Sequence, residues 1–99
     1  MLKFEWDDSK SKTNITKHKV SFELAASAFE DPFQLSDFDR TVNGEDRYQT
    51  LALVGPVILF IVHTIKEIEN GQEVIRIISA RKATANERIA YQQARGSTG

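Results

Sequence analysis

Apolar and polar positions alternate with a period of two over residues 2–6, which predicts a short first strand. A polar stretch follows in which Ile15 is the only strong apolar residue. Asp7 or Asp8 can cap a helix there that runs toward His18. Phe22, Ala25, Ala26 and Phe29 then recur at helical spacing behind Ser21, a second N-cap with Glu23 in the first turn. Pro32 bars any continuation. From Leu35 the period returns to two. The runs 35–42 and 46–54 flank Asn43-Gly44, two residues that accept the positive φ of a tight hairpin turn. Gly55-Pro56 breaks the chain. Residues 57–65 are apolar on both faces, which predicts a strand in the middle of a sheet. Asn70-Gly71 turns the chain again, into a last strand over 73–80. Thr84-Ala85-Asn86-Glu87 matches a capping box, so a final helix opens at Thr84. Ala85, Ile89 and Ala90 or Ala94 are expected to face inward, with Gly96 as the stop. The order β, α, α, about four antiparallel strands, then α predicts an α+β fold. Residues 1–95 are expected to form one domain and 96–99 a disordered tail.

Composition fits that reading. The 99 residues are 40% hydrophobic and 27% charged, as in one soluble globular domain. A chain of this size buries roughly 65% of its unfolded surface, enough for one core. With no cysteine there is neither a disulfide nor a thiolate metal site, which fits a reducing compartment. The start, "MLKFEWDDSK", is charged from its third residue and has no apolar h-region. The longest apolar run, 57–62, is far short of the roughly 20 residues that span a bilayer. A soluble, cytoplasmic protein with no membrane partner is therefore expected.

Charge changes the picture more than composition does. The net charge is −1, which argues against bulk attraction to nucleic acid. Its distribution is uneven. Residues 22–46 carry Glu23, Glu30, Asp31, Asp37, Asp39, Glu45 and Asp46 against Arg40. After Glu73 the balance reverses, with Arg76, Arg81, Lys82, Arg88 and Arg95 against Glu87. A basic patch on a weakly acidic protein is one reading, and ordinary solvated charge is the other.

Candidate chemistry is narrow. No phosphate-cradling glycine loop and no nucleophile elbow occurs. His18 and His63 are the only histidines, so zinc would need distant carboxylates. The cations remain. On a regularly alternating strand Arg81 shares a face with Ile75 and Ile77, opposite Arg76, at the end of an apolar row. A guanidinium there meets either a carboxylate such as Glu87 or an anionic ligand, for which its planar fork suits phosphate. His63 and Lys66 lie at the end of the central strand; His63 is either an edge-of-core residue or a proton carrier. Lys17 and His18 end the first helix, where the dipole already favours cations.

Three blocks, in order, resemble the BrnT family of type II toxin–antitoxin toxins. The first holds Phe4, Trp6, Asp7, Lys10, Asn14, Lys17, His18, Val20, Ser21, Phe22, Glu23, Ala25, Phe29, Asp31 and Pro32. The second is Glu45 to Arg47, and the third "RIISARKA", Arg76 to Ala83, followed by Glu87 and Tyr91. The resemblance implies a compact RelE-like fold and RNA cleavage with neither metal nor cofactor. It implies neutralisation in a hetero-oligomer with a BrnA-type antitoxin, and contact with operator DNA only through that complex. It points to Arg81 as phosphate clamp and Lys66 as a second phosphate contact. Arg47, His63 and His18 follow for proton transfer or RNA positioning, with Lys17, Arg76, Lys82 and Arg88 as further RNA contacts. Two residues depart from the family pattern. Lys19 stands where the family has glycine, at a helix stop, at a strain of about 1 kcal/mol. Lys66 stands where the family has arginine, keeping the charge but losing the bidentate fork. That second departure keeps an alternative open: a weak or lapsed nuclease that binds a partner protein and acts in operon autoregulation.

Overall fold

The computed structural model describes residues 2–96. The elements are β1 (Leu2–Glu5), α1 (Asp8–His18), α2 (Phe22–Ala28), β2 (Leu35–Val42), β3 (Glu45–Val54), β4 (Val57–Glu67), β5 (Glu73–Lys82) and α3 (Ala85–Gly96), with a short 3-10 turn at Glu69–Gly71. The caps fall where the sequence places them. Asp7 accepts the Lys10 N–H at 3.0 Å, and Ser21 accepts that of Leu24 at 3.0 Å. Asn43 and Gly44 both take positive φ in the β2–β3 turn, and Asn70 and Gly71 do so before β5.

The sheet has the order β1-β5-β4-β3-β2. β2 to β5 form the expected antiparallel meander, with the apolar β4 between β5 and β3. β1 adds a fifth strand, parallel to β5, from Leu2 opposite Glu73 to Glu5 opposite Arg76. Helices cover both faces. On one, Phe22, Ala25 and Ala28 of α2 pack on Leu59, Ile61, Ile75, Ile77 and Ala80. Each large aliphatic or aromatic side chain so buried contributes roughly 1.5–3 kcal/mol. On the other, Tyr91 of α3 packs with Ile58, Ala83, Leu51 and Leu53.

The helices depart from expectation in two ways. α1 buries polar residues, Ser11 and Asn14, while Ile15 stays 44% exposed. α3 turns Glu87, Tyr91 and Ala94 toward the protein, not Ala85, Ile89 and Ala90, and Ile89 is 51% exposed. Polar anchors set that rotation: Glu87 holds Arg81, and the Tyr91 hydroxyl donates to Asp31 at 2.5 Å. Of the expected tail, Gly96 is the last residue of α3, and residues 97–99 lie outside the described residues. No helix among the described residues is long and apolar enough to cross a membrane.

Candidate functional site

An irregularity in β5 decides where the cations point. β4 and β5 pair in register from Leu59–Lys82 to Val62–Ser79, then resume at His63–Ile77, so Ile78 is an extra residue. Such a bulge shifts the alternation by one. Ile75 and Ile77 face α2, and beyond the bulge it is Ala80 that joins them. Arg81 therefore does not share their face, and it does not oppose Arg76. Both arginines lie on the α3 face of the sheet.

Arg81 lands beside α3 and is engaged there. Its Nη1 and Nη2 donate to the two Glu87 oxygens at 2.8 and 3.0 Å, and its guanidinium lies 4.2 Å from the centre of the Phe60 ring. Glu87 also completes the capping box, accepting from the Thr84 N–H at 2.8 Å while its own N–H donates to Thr84 Oγ1 at 3.2 Å. Hydrogen bonding to Arg81 is the main force holding the Glu87 carboxyl below its ordinary range, against partial desolvation, and the same bonds raise Arg81. Of the two fates open to Arg81, the carboxylate partner is the one found.

The rest of this face is of mixed charge, with Arg47, Lys66 and Arg76 beside Glu5 and Glu45. β3 and β4 pair only as far as Tyr48–His63, and then the strands part. Arg47 is the first β3 residue past the fork and sits opposite Arg40 of β2. Its Nε is buried and has no hydrogen-bond partner. An orphaned guanidinium N–H is costly unless something arrives to accept it. Arg76 reaches across to form an ion pair with Glu45. The opening between the strands, about 420 Å³, is lined by Glu45, Tyr48, Thr64, Lys66 and Arg76 among others. Lys66 and Arg76 line this opening with Glu5, Glu45 and Asp46, and Arg47 lies beside it on β3 between the lining residues Asp46 and Tyr48, although 29 positions separate Arg47 from Arg76.

The other expected residues lie elsewhere. His63 is 1% exposed, inside the α2-side core. It is 2.7 Å from Thr50 Oγ1 and edge-on to Phe29 at 5.0 Å, and burial lowers its pKa below the ordinary imidazole value. Lys17 and His18 are exposed at the end of α1, beside the outer edge of β5 at Ile78 and Ser79. Lys82 is exposed at the end of β5, and Arg88 on α3 donates to the Ala83 carbonyl at 3.1 Å. Among the described residues no three His, Cys, Asp or Glu side chains stand together as metal ligands.

Two residues named in the family resemblance, Asn14 and Asp31, have structural roles that the sequence reading did not assign. Asn14, 5% exposed, pairs with Ala80 as a strand would: Nδ2 donates to the carbonyl at 2.8 Å and Oδ1 accepts the N–H at 3.1 Å. It thereby seals β5 beyond the reach of β1, and Nδ2 also donates to the Val20 carbonyl at 2.8 Å. Asp31 does the same for β3, accepting the Leu53 N–H at 2.8 Å, past the last β2 pair at Leu35–Leu51. Burial alone would raise the Asp31 carboxyl, but hydrogen bonds from Tyr91, Leu53 and Phe33 outweigh it and hold it low; burial and Asp31 push the Tyr91 hydroxyl up to about 12. A polar residue in a polar helix and an acid before a proline carry no apolar periodicity that would mark them.

No curated protein matches the chain. The family described as "Ribonuclease toxin, BrnT, of type II toxin-antitoxin system" matches residues 6–87, from Trp6 beside α1 to Glu87 in the capping box. That span holds the fork, the bulge and both side chains that seal the sheet, and the chain belongs to the BrnT family of ribonuclease toxins of type II toxin–antitoxin systems.

Proposed function

We propose that this toxin cuts RNA on the open half of the α3 face, with Arg47, Lys66 and Arg76 as the phosphate contacts, without metal, and so blocks translation in the cytoplasm. In that chemistry the RNA 2′ oxygen attacks the neighbouring phosphorus. The P–O5′ bond breaks, a 2′,3′-cyclic phosphate forms, and one proton leaves the 2′ oxygen while another reaches the departing 5′ oxygen. Negative charge gathers on the phosphoryl oxygens, where preorganised cations stabilise it most. The observation that carries the reading is the buried, unpartnered Nε of Arg47 where β3 and β4 part. Arg81, held by Glu87, is assigned to the junction of β5 and α3 instead of the clamp. His18 and Lys17, across the β5 edge, and Lys82 and Arg88 are assigned to more distant RNA contacts. A BrnA-type antitoxin neutralises the toxin, and operator DNA is met only through that complex.

Arg47→Ala tests this directly. It strands no partner, so the fold should survive, while cleavage should fall by about 10²–10³-fold, the scale of losing one preorganised charge-stabilising donor. Cleavage by the parent should survive EDTA and vanish on RNA with a 2′-deoxy at the cut position. Lys66→Arg restores the bidentate fork and should raise the rate. An Arg47→Ala protein that cuts at the parental rate would move the site elsewhere. The ties of Arg76 to Glu45 and of Arg81 to Glu87 favour one other reading, a lapsed nuclease that acts in autoregulation. Growth arrest on expression of the toxin alone would rule that out.

A further inference from the structure

α2 has only seven residues, and it leaves the fork end of its own face bare. Side chains there follow the strand alternation. Phe38 of β2 is 55% exposed and edge-on to Tyr48 at 5.9 Å; Ile65 of β4 is 39% exposed and Leu2 of β1 40%. Between them run rings in sequence: Tyr48 stacks on His63, His63 meets Phe29, and Phe29 meets Phe4. Apolar side chains therefore run across the sheet from edge to edge, exposed at Phe38 and Ile65 on one side and at Leu2 on the other, with the buried His63 and Phe29 between them. At the β1 end this band deepens into a groove of about 490 Å³, lined by Leu2, Phe4, Ala26 and Phe29 among others.

The rim of this band is acidic. Glu67 and Glu73 stand directly opposite each other on β4 and β5, both exposed. Asp46 and Glu30 are exposed at its other borders. Like charges in direct cross-strand register destabilise a sheet unless a cation settles between them. Neither Glu67 nor Glu73 has an ion pair among the described residues. The reverse side of the same strands carries Arg40, Arg47, Lys66 and Arg76. The cations of this sheet end are thus confined to the reverse face, where Glu5 and Glu45 accompany them, while the band's own rim carries Glu67, Glu73 and Asp46.

We infer that this acidic-rimmed apolar band is the seat of the antitoxin, and that it takes an apolar segment flanked by Lys or Arg. The inference rests on membership of a toxin–antitoxin family and not on the catalytic assignment above. Charge decides against a second copy of this chain, which would set Glu67 and Glu73 against their own equivalents.

The probe is the antitoxin itself, co-expressed from the neighbouring reading frame and purified with the toxin. Ile65→Lys removes apolar surface, and Glu67→Lys with Glu73→Lys reverses the rim without touching the core. Each should weaken the measured Kd by about tenfold or more, as loss of a central contact does. RNA cleavage by the free charge-reversed toxin should be unchanged, and should no longer be fully suppressed at an antitoxin level that silences the parent. Arg47→Ala should show the opposite pattern, intact binding and lost cleavage. Parental affinity in both band variants overturns the proposal and leaves the catalytic reading standing. So does a homodimer that Ile65→Lys dissociates while antitoxin affinity stays parental. If Ile65→Lys fails to fold, the charge-reversed protein decides alone: weakened binding supports the proposal, and parental affinity overturns it.

Discussion

Arg81→Ala separates a strut from a clamp. The substitution removes two hydrogen bonds to Glu87, at 2.8 and 3.0 Å, and the guanidinium over Phe60. The side chains of the pair are 34% and 24% exposed, so solvent screens it, and about 1 kcal/mol is a fair value for a bidentate contact there. Stacking on Phe60 adds about 0.5–1 kcal/mol. Glu87 keeps its bond from the Thr84 N–H and some water, which limits the cost of losing its partner. The total is about 2 kcal/mol, or roughly 10 °C in Tm for a domain this size. The pH dependence identifies the cause. Glu87 titrates below its ordinary 4.5 when folded, so the pair contributes in full above that pH and fades as pH falls through the folded value. Thermal melts of parent and variant should differ by about 10 °C near pH 7 and converge in acid to the few degrees that Phe60 supplies. Cleavage by the variant, measured well below its Tm, should stay within a few-fold of the parent. An unchanged Tm with cleavage lost by about 100-fold would make Arg81 the phosphate clamp and refute the reasoning.

Three further substitutions test the scaffold by denaturant or thermal melts. Thr84→Ala should cost about 1 kcal/mol, because only the N-cap hydroxyl serves the Glu87 N–H; an unchanged midpoint would mean the cap contributes nothing. Lys19 caps α1 at φ 61°, so Lys19→Gly should stabilise by about 1 kcal/mol, and a lower midpoint would show that the lysine side chain has a compensating contact. Asn14→Leu leaves the Ala80 N–H and carbonyl unpaired in a buried place and should cost about 2–4 kcal/mol; a loss under about 1 kcal/mol would mean water replaces the amide.

The meander was legible because β4 is apolar on both faces and both Asn-Gly pairs punctuate it. The caps were legible because Asp7, Ser21 and Thr84 are strong local signals. What failed was phase. Nothing in "RIISARK" marks Ile78 as an extra residue, yet that one residue moves Arg81 from the α2 face to the α3 face. The rotation of α3 failed for a related reason. Its partners, Arg81 and Asp31, lie outside the helix and outvote the apolar Ile89. The fork was half legible. Lys66, Arg76 and Arg47 were singled out one by one, but their gathering depends on where two strands stop pairing, which no period in the sequence reports.

The pairing of Asn14 with Ala80 has a consequence for synthesis on the ribosome. Sixty-six positions separate the two residues, and the parallel β1–β5 pairs span a similar distance. β1 and α1 leave the exit tunnel first but have no docking site until β5 follows. Closing so long a loop is an entropic cost that must be met before those contacts repay it. Arg76 arrives with the same late strand. The nascent chain is therefore expected to carry β1 and α1 undocked and the fork without Arg76 for most of translation, so the surface proposed for catalysis assembles in one late, cooperative event.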